Sequence, residues 1–87
     1  MALVFTASQA RFEDVCSVEE ALPLLEFLRN CDAPEVDLSG CTFLHTALLQ
    51  LLLTARPKLA VYPTDPALAR WVAPLLADDR LGRGIDG

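Results

Sequence analysis

Apolar positions recur along this chain with two different spacings, and the switches between them divide it into elements. Ala2 to Thr6, "ALVFT", is a short β-prone run, and Ser8-Gln9 supplies a turn after it. Ala10 to Cys16, "ARFEDVC", reads as a second strand with Phe12 and Cys16 on one face, its alternation broken by Glu13-Asp14. Ser17 stands three residues before Glu20, the spacing of a capping box. Ala21, Leu24, Leu25 and Leu28 then recur at helical spacing. Val18 and Leu22 extend that face, and Glu19, Glu26 and Asn30 fall opposite, so a helix ends around Asn30. Pro23 would kink a helix capped by Ser17; alternatively the regular helix starts nearer Pro23.

Cys31 to Pro34 is a loop, Glu35 to Leu38 a short strand, and Ser39-Gly40 a turn. Thr46 to Arg56 reads as a helix stopped by Pro57, and Lys58 to Tyr62 as a strand closed by Pro63. Thr64 or Asp65 caps a last helix that has Pro66 at its first position. This helix carries Leu68, Trp71, Val72 and Leu75 to about Leu76, with Pro74 limiting its regularity. The order β-β-α-β-α-β-α predicts an α/β fold: a small mixed sheet of about four strands, an N-terminal hairpin followed by parallel right-handed crossovers, with about three helices. Past Ala77 the composition shifts to "DDRLGRGIDG", so residues 1–77 read as one domain and 78–87 as a flexible tail.

The middle helix is the most informative segment. Thr46, Gln50 and Thr54 are spaced i, i+4, i+8 and make one narrow polar stripe, with only Ala and Leu around it. The apolar arc covers about two thirds of the circumference, against the roughly 100° a one-sided surface helix needs. A deeply sandwiched helix, in a snug core or a homo-oligomer, would bury that arc. In a domain this small, exposure of the Ala47/Leu51 and Leu49/Leu53 flanks is the expected outcome. An apolar border around a polar stripe is the composition of a protein-docking surface. The predicted partner-binding set is His45, Thr46, Leu49, Gln50, Leu53 and Thr54. Thr46 at the helix N-terminus would tolerate a phosphate, because unpaired N–H groups and the helix dipole favour an anion there. On the residues alone, the favoured reading is the simpler one: Thr46 as a plain helix cap and His45 as a solvated or backbone-bonded turn histidine.

Composition narrows the function classes. At 87 residues and 53% apolar, with a formal charge of −5, the chain is one small folded unit. Seven scattered Lys and Arg make no basic stripe for phosphates, so neither a nucleic acid nor an anionic membrane surface is an expected partner. No secretory signal is visible and the longest apolar run is far too short to span a bilayer, so a cytoplasmic location is expected, without membrane insertion. Cys16, Cys31 and Cys41 are odd in number and include no CxxC, which predicts buried free thiols rather than a zinc site. No metal and no cofactor is expected. A lone His45, no nucleophile–base pair at a readable spacing and no glycine-rich phosphate loop argue against an enzyme. Cys41 is near His45 in sequence, which fixes no catalytic geometry.

"VDLSGCTFLHTALLQLLL", Val36 to Leu53, resembles the core signature of the STAS domain, the family of bacterial anti-sigma factor antagonists. Asp37-Leu38-Ser39-Gly40 match its strand end and turn, and Phe43-Leu44 its hydrophobic pair. Thr46 falls where phosphorylatable members carry Ser or Thr, and "PTDPALARWVAPLL" is similar to the family's later strand-to-helix junction. The resemblance implies a small α/β domain that docks through the N-terminus of its second helix. The implied partner is a kinase-like anti-sigma factor that phosphorylates the Ser or Thr and so breaks the complex, with Thr46 as candidate phospho-acceptor. Other members are accessory subunits in lipid-transport ATPase complexes, in stressosomes or on anion transporters. His45 stands where the family carries an acid, and Ala47-Leu48 where Ser/Gly-Gly is usual, so a leucine is expected to fill the room that glycine leaves for a partner. Against the family pattern the sequence is expected to lack the last strand and helix, and such a shortened member would expose a sheet edge or an apolar face, favouring a homodimer or a constitutive partner.

Overall fold

The computed structural model describes residues 2–77. The expected tail at 78–87 lies outside them. Four strands form one mixed sheet: β1 (Leu3–Phe5), β2 (Gln9–Cys16), β3 (Glu35–Leu44) and β4 (Lys58–Val61), in the order β1-β2-β3-β4. The β1–β2 pair is antiparallel, with Leu3 opposite Phe12 and Phe5 opposite Ala10. β2–β3 and β3–β4 are parallel. Three helices connect and follow them: α1 (Ala21–Asn30), α2 (Thr46–Ala55) and α3 (Pro66–Ala77). This is the expected α/β architecture.

One face of the sheet carries the core. Ala10, Phe12 and Cys16 of β2 and Val36, Leu38, Cys41 and Leu44 of β3 bury against Leu24 of α1, Leu48, Leu49 and Leu52 of α2, and Leu68 and Val72 of α3. All three helices therefore share that face. The helices supply the branched aliphatic surface and the strands supply the floor, in a two-layer arrangement that a small domain can fill. Among the described residues no helix covers the opposite face. It carries the Arg11–Glu13 ion pair and the exposed, directly paired Val15 and Phe43.

Three local expectations are corrected by the structure. Ser39-Gly40 is not a turn: β3 runs straight through it to Leu44. The Asp37 carboxylate accepts both the Ser39 N–H at 2.9 Å and the Ser39 hydroxyl at 2.7 Å. That local pairing takes the place of a ladder bond, and the β2–β3 register slips between Arg11 and Glu13. A bulge, not a reversal, is the result. A second slip follows between Asp14 and Val15, where Asp14 has φ 54°. Asp is one of the few residue types that enter that region readily.

Ser17 and Glu20 do not make a capping box. Val18–Glu20 form a single 3₁₀ turn without a side-chain cap bond, closed by the Glu20 N–H on the Ser17 carbonyl at 3.0 Å. Regular helix begins at Ala21, which places Pro23 in the first turn. A missing N–H has no consequence there, and no kink is needed. Val18 and Leu22 also leave the buried face, at 52% and 64% exposure; Leu24 is the fully buried residue of α1.

Candidate docking site

The site is built around the start of α2, and the first residue that matters is His45. Its backbone is extended, and its Nδ1 accepts the Ala47 N–H at 3.0 Å. Its carbonyl accepts the Leu48 and Leu49 N–H groups at 2.9 and 3.1 Å. His45, rather than Thr46, is thus the N-cap. It is the backbone-bonded histidine, and Thr46 is the first residue of the helix proper, exposed. The His45 N–H is donated to the Cys16 carbonyl at 3.0 Å, which ties the cap to the end of β2. At the other end Arg56 adopts φ 52°, ψ 53°, its N–H bonds the Leu52 carbonyl at 2.8 Å, and Pro57 prevents continuation. The Arg56 guanidinium donates to the Leu75 carbonyl at 2.8 Å and pins α2 to α3.

Thr46, Gln50 and Thr54 are all exposed, in one row along the outer side of the helix. The apolar flanks divide. Ala47 and Leu51 are half-buried and face α1, whereas Leu49 is only 5% exposed and belongs to the core. Leu53 is half-buried and packs against that core. Of the predicted set, His45, Thr46, Gln50 and Thr54 come together at an accessible surface, with Leu53 partly so. Leu49 is withdrawn from it because its side chain completes the layer above the sheet. Leu48 is fully buried as well, so the leucine does not fill the space above the helix N-terminus.

The accessible row borders a groove of about 520 Å³ between the first and second helices. Ala21, Leu22 and Leu25 form one wall; Ala47, Gln50, Leu51 and Thr54 form the other. The α1 wall is the part that sequence reasoning assigned to the core. The signal was present in Val18 and Leu22, which widen the apolar arc of α1 beyond what one buried face needs. The groove has the mixed make-up of a recognition surface, an apolar floor with a hydroxyl and an amide on its edge.

Chemical groups elsewhere are sparse. Among the described residues no three His, Cys, Asp or Glu side chains group as a metal site would require, and no helix is long and apolar enough to cross a membrane. Cys16 and Cys41 are buried, Cys31 is half-buried, and all three are free. The Cys16 and Cys41 sulfurs lie 3.8 Å apart. Their shared hydrogen bond lowers the Cys41 thiol, and the same bond with burial raises Cys16. The chain matches no family model, no curated protein sequence and no solved structure.

Proposed function

We propose that this chain is a cytoplasmic, non-enzymatic protein-interaction module of the STAS type, related in role to the anti-sigma factor antagonists. It docks on a protein partner through the N-terminus and outer row of α2. The observation that carries this reading is the exposed Thr46–Gln50–Thr54 row beside an apolar groove walled by Leu22, Leu25 and Leu51. A polar row fixes register and the groove supplies apolar area to bury. The acidic net charge favours a partner with a basic surface.

A second reading uses the same face without phosphorylation, as an accessory subunit of a lipid-transport type ATPase complex. His45 favours it. The residue before Thr46 engages its side chain in the helix cap, and no carboxylate stands in the place where the family resemblance implies one. Thr46 remains the candidate phospho-acceptor of the first reading.

The test is site-specific photo-crosslinking in the native host. A photoreactive residue at Gln50 is compared with one at Phe43, on the helix-free sheet face. Gln50 should capture a single partner, and Thr46→Glu should reduce that capture at least tenfold while Thr46→Ala does not. Glutamate in the first turn suits the helix dipole, so the loss would not reflect unfolding. Capture from Phe43 alone, or equal capture by both Thr46 variants, would overturn the proposal. The partner's class, kinase-like or ATPase, together with mass spectrometry for phospho-Thr46, separates the two readings.

A further inference from the structure

Cys16 closes β2 and Cys41 lies near the end of β3, on adjacent parallel strands. Both are fully buried, at 0% and 1% exposure, and their sulfurs face each other at 3.8 Å. Their other hydrogen-bond partners are backbone carbonyls: Glu13 at 3.5 Å, Ala2 at 3.8 Å and Asp14 at 4.0 Å from the Cys16 sulfur, and Phe43 at 3.3 Å from the Cys41 sulfur. Both β2–β3 register slips precede Cys16 along β2, and Cys41 lies between them on β3, so the ladder around the pair is irregular. β2, which carries Cys16, is bordered on its outer side by the three-residue edge strand β1. Local opening at such strand ends is how a small oxidant reaches a covered thiol.

We propose that Cys16 and Cys41 are a redox-active dithiol, oxidised by a peroxide to a disulfide that resets the His45 cap of α2. The steps balance. The Cys41 sulfur attacks hydrogen peroxide: an S–O bond forms, the O–O bond breaks, and the departing hydroxide leaves as water with the Cys41 proton. The Cys16 sulfur then attacks the Cys41 sulfenic acid: the S–S bond forms, the S–O bond breaks, and the Cys16 proton leaves with the hydroxide as a second water. Two thiols are oxidised and one peroxide is reduced to two waters. The lowered Cys41 thiol suits the first attack.

The coupling to α2 is geometric. A disulfide holds its sulfurs at about 2.05 Å, so the pair must close by roughly 1.8 Å. The strand ends absorb that movement, and the Cys16 carbonyl is the acceptor for the His45 N–H at 3.0 Å. Displacing it disturbs the residue whose Nδ1 and carbonyl hold the first turn of α2. The disulfide chemistry stands independently of partner docking; only its effect on a partner rests on the function proposed above.

The test uses the full chain with Cys31→Ser, which removes the half-buried thiol and leaves the buried pair. Hydrogen peroxide is applied without denaturant, and thiols are then alkylated under unfolding conditions. The expected result is the loss of both alkylatable thiols, with a monomer lighter by two hydrogens that a reductant restores. Two thiols still alkylated after peroxide would show a packing pair only and overturn the proposal. In the oxidised protein the His45 and Ala47 amide resonances should shift and return on reduction. A disulfide that forms while those two amides stay in place would overturn the coupling to the cap. Loss of partner capture is read separately, so failure of the docking reading and failure of the redox pair remain distinguishable.

Discussion

The two sides of α2 are drawn from a small residue alphabet and meet opposite fates. Leu48, Leu49 and Leu52 sit at 0%, 5% and 0% exposure, against the sheet and the neighbouring helices. Thr46, Gln50 and Thr54 on the outer side are all exposed, and between the two sides Ala47 and Leu51 slope into the groove with α1. A leucine on the inner side is held by many contacts on every side, and a polar residue on the outer side by almost none. On the function proposed above, the contrast separates stability from recognition along one helix. Inner substitutions should destabilise the domain, and outer ones should leave the fold intact and change only what it binds.

The largest expected effect tests the inner side. Leu52→Ala removes a fully buried side chain at the centre of the helix layer. Such a cavity costs about 3 kcal/mol. For a domain of this size that corresponds to a melting temperature lower by roughly 15 °C, readable by thermal circular dichroism. A loss below about 1 kcal/mol would mean that the layer collapses freely and the inner side is not the stabilising one. His45→Ala ranks next. It deletes the acceptor of the Ala47 N–H, and loss of a cap costs about 1 kcal/mol in chemical denaturation. Its effect lies between the two sides, because the cap holds both the first turn and the position of Thr46.

Asp37→Ala asks a similar question of the strand. The carboxylate receives two hydrogen bonds from Ser39, and deletion should cost about 1 kcal/mol while shifting the amide resonances of Ser39 and Gly40. This small motif also marks where the sequence was hardest to read. Ser-Gly after an apolar run is a turn signal, and a strand ending at Leu38 is the natural inference. In the fold the buried positions of β3 are Val36, Leu38, Cys41 and Leu44. The spacing runs two, three, three, because each bulge inserts one residue. Period-two reasoning sees only the first interval. The β2 face was legible because Phe12 and Cys16 both keep to it. α2 and α3 were legible because their periodicity is long and Pro57 and Pro66 punctuate it, and Asp65 caps α3 with its carboxylate 3.3 Å from the Leu68 N–H. The polar row of α2 was legible for the same reason. The α1 wall of the groove was legible only as an apolar arc too wide for one buried face; which of Leu22 and Leu24 is exposed depends on the placement of α1 beside α2.

The smallest effect on stability is the sharpest test of the outer side. Gln50 is exposed and lies on the edge of the groove. Gln50→Ala replaces it with the best helix former, so the stability change should stay within about 0.5 kcal/mol and can be favourable. If the outer row is the recognition surface, the same substitution should still weaken capture several-fold when the photoreactive residue is placed at Thr54, which lines the same groove, because an amide at the edge of an apolar groove fixes register. A variant that loses stability as Leu52→Ala does would place Gln50 with the core and erase the division between the sides. A variant with unchanged stability and unchanged capture would keep the division while removing Gln50 from the partner contact, leaving Thr46 and the Leu22–Leu51 groove to hold it.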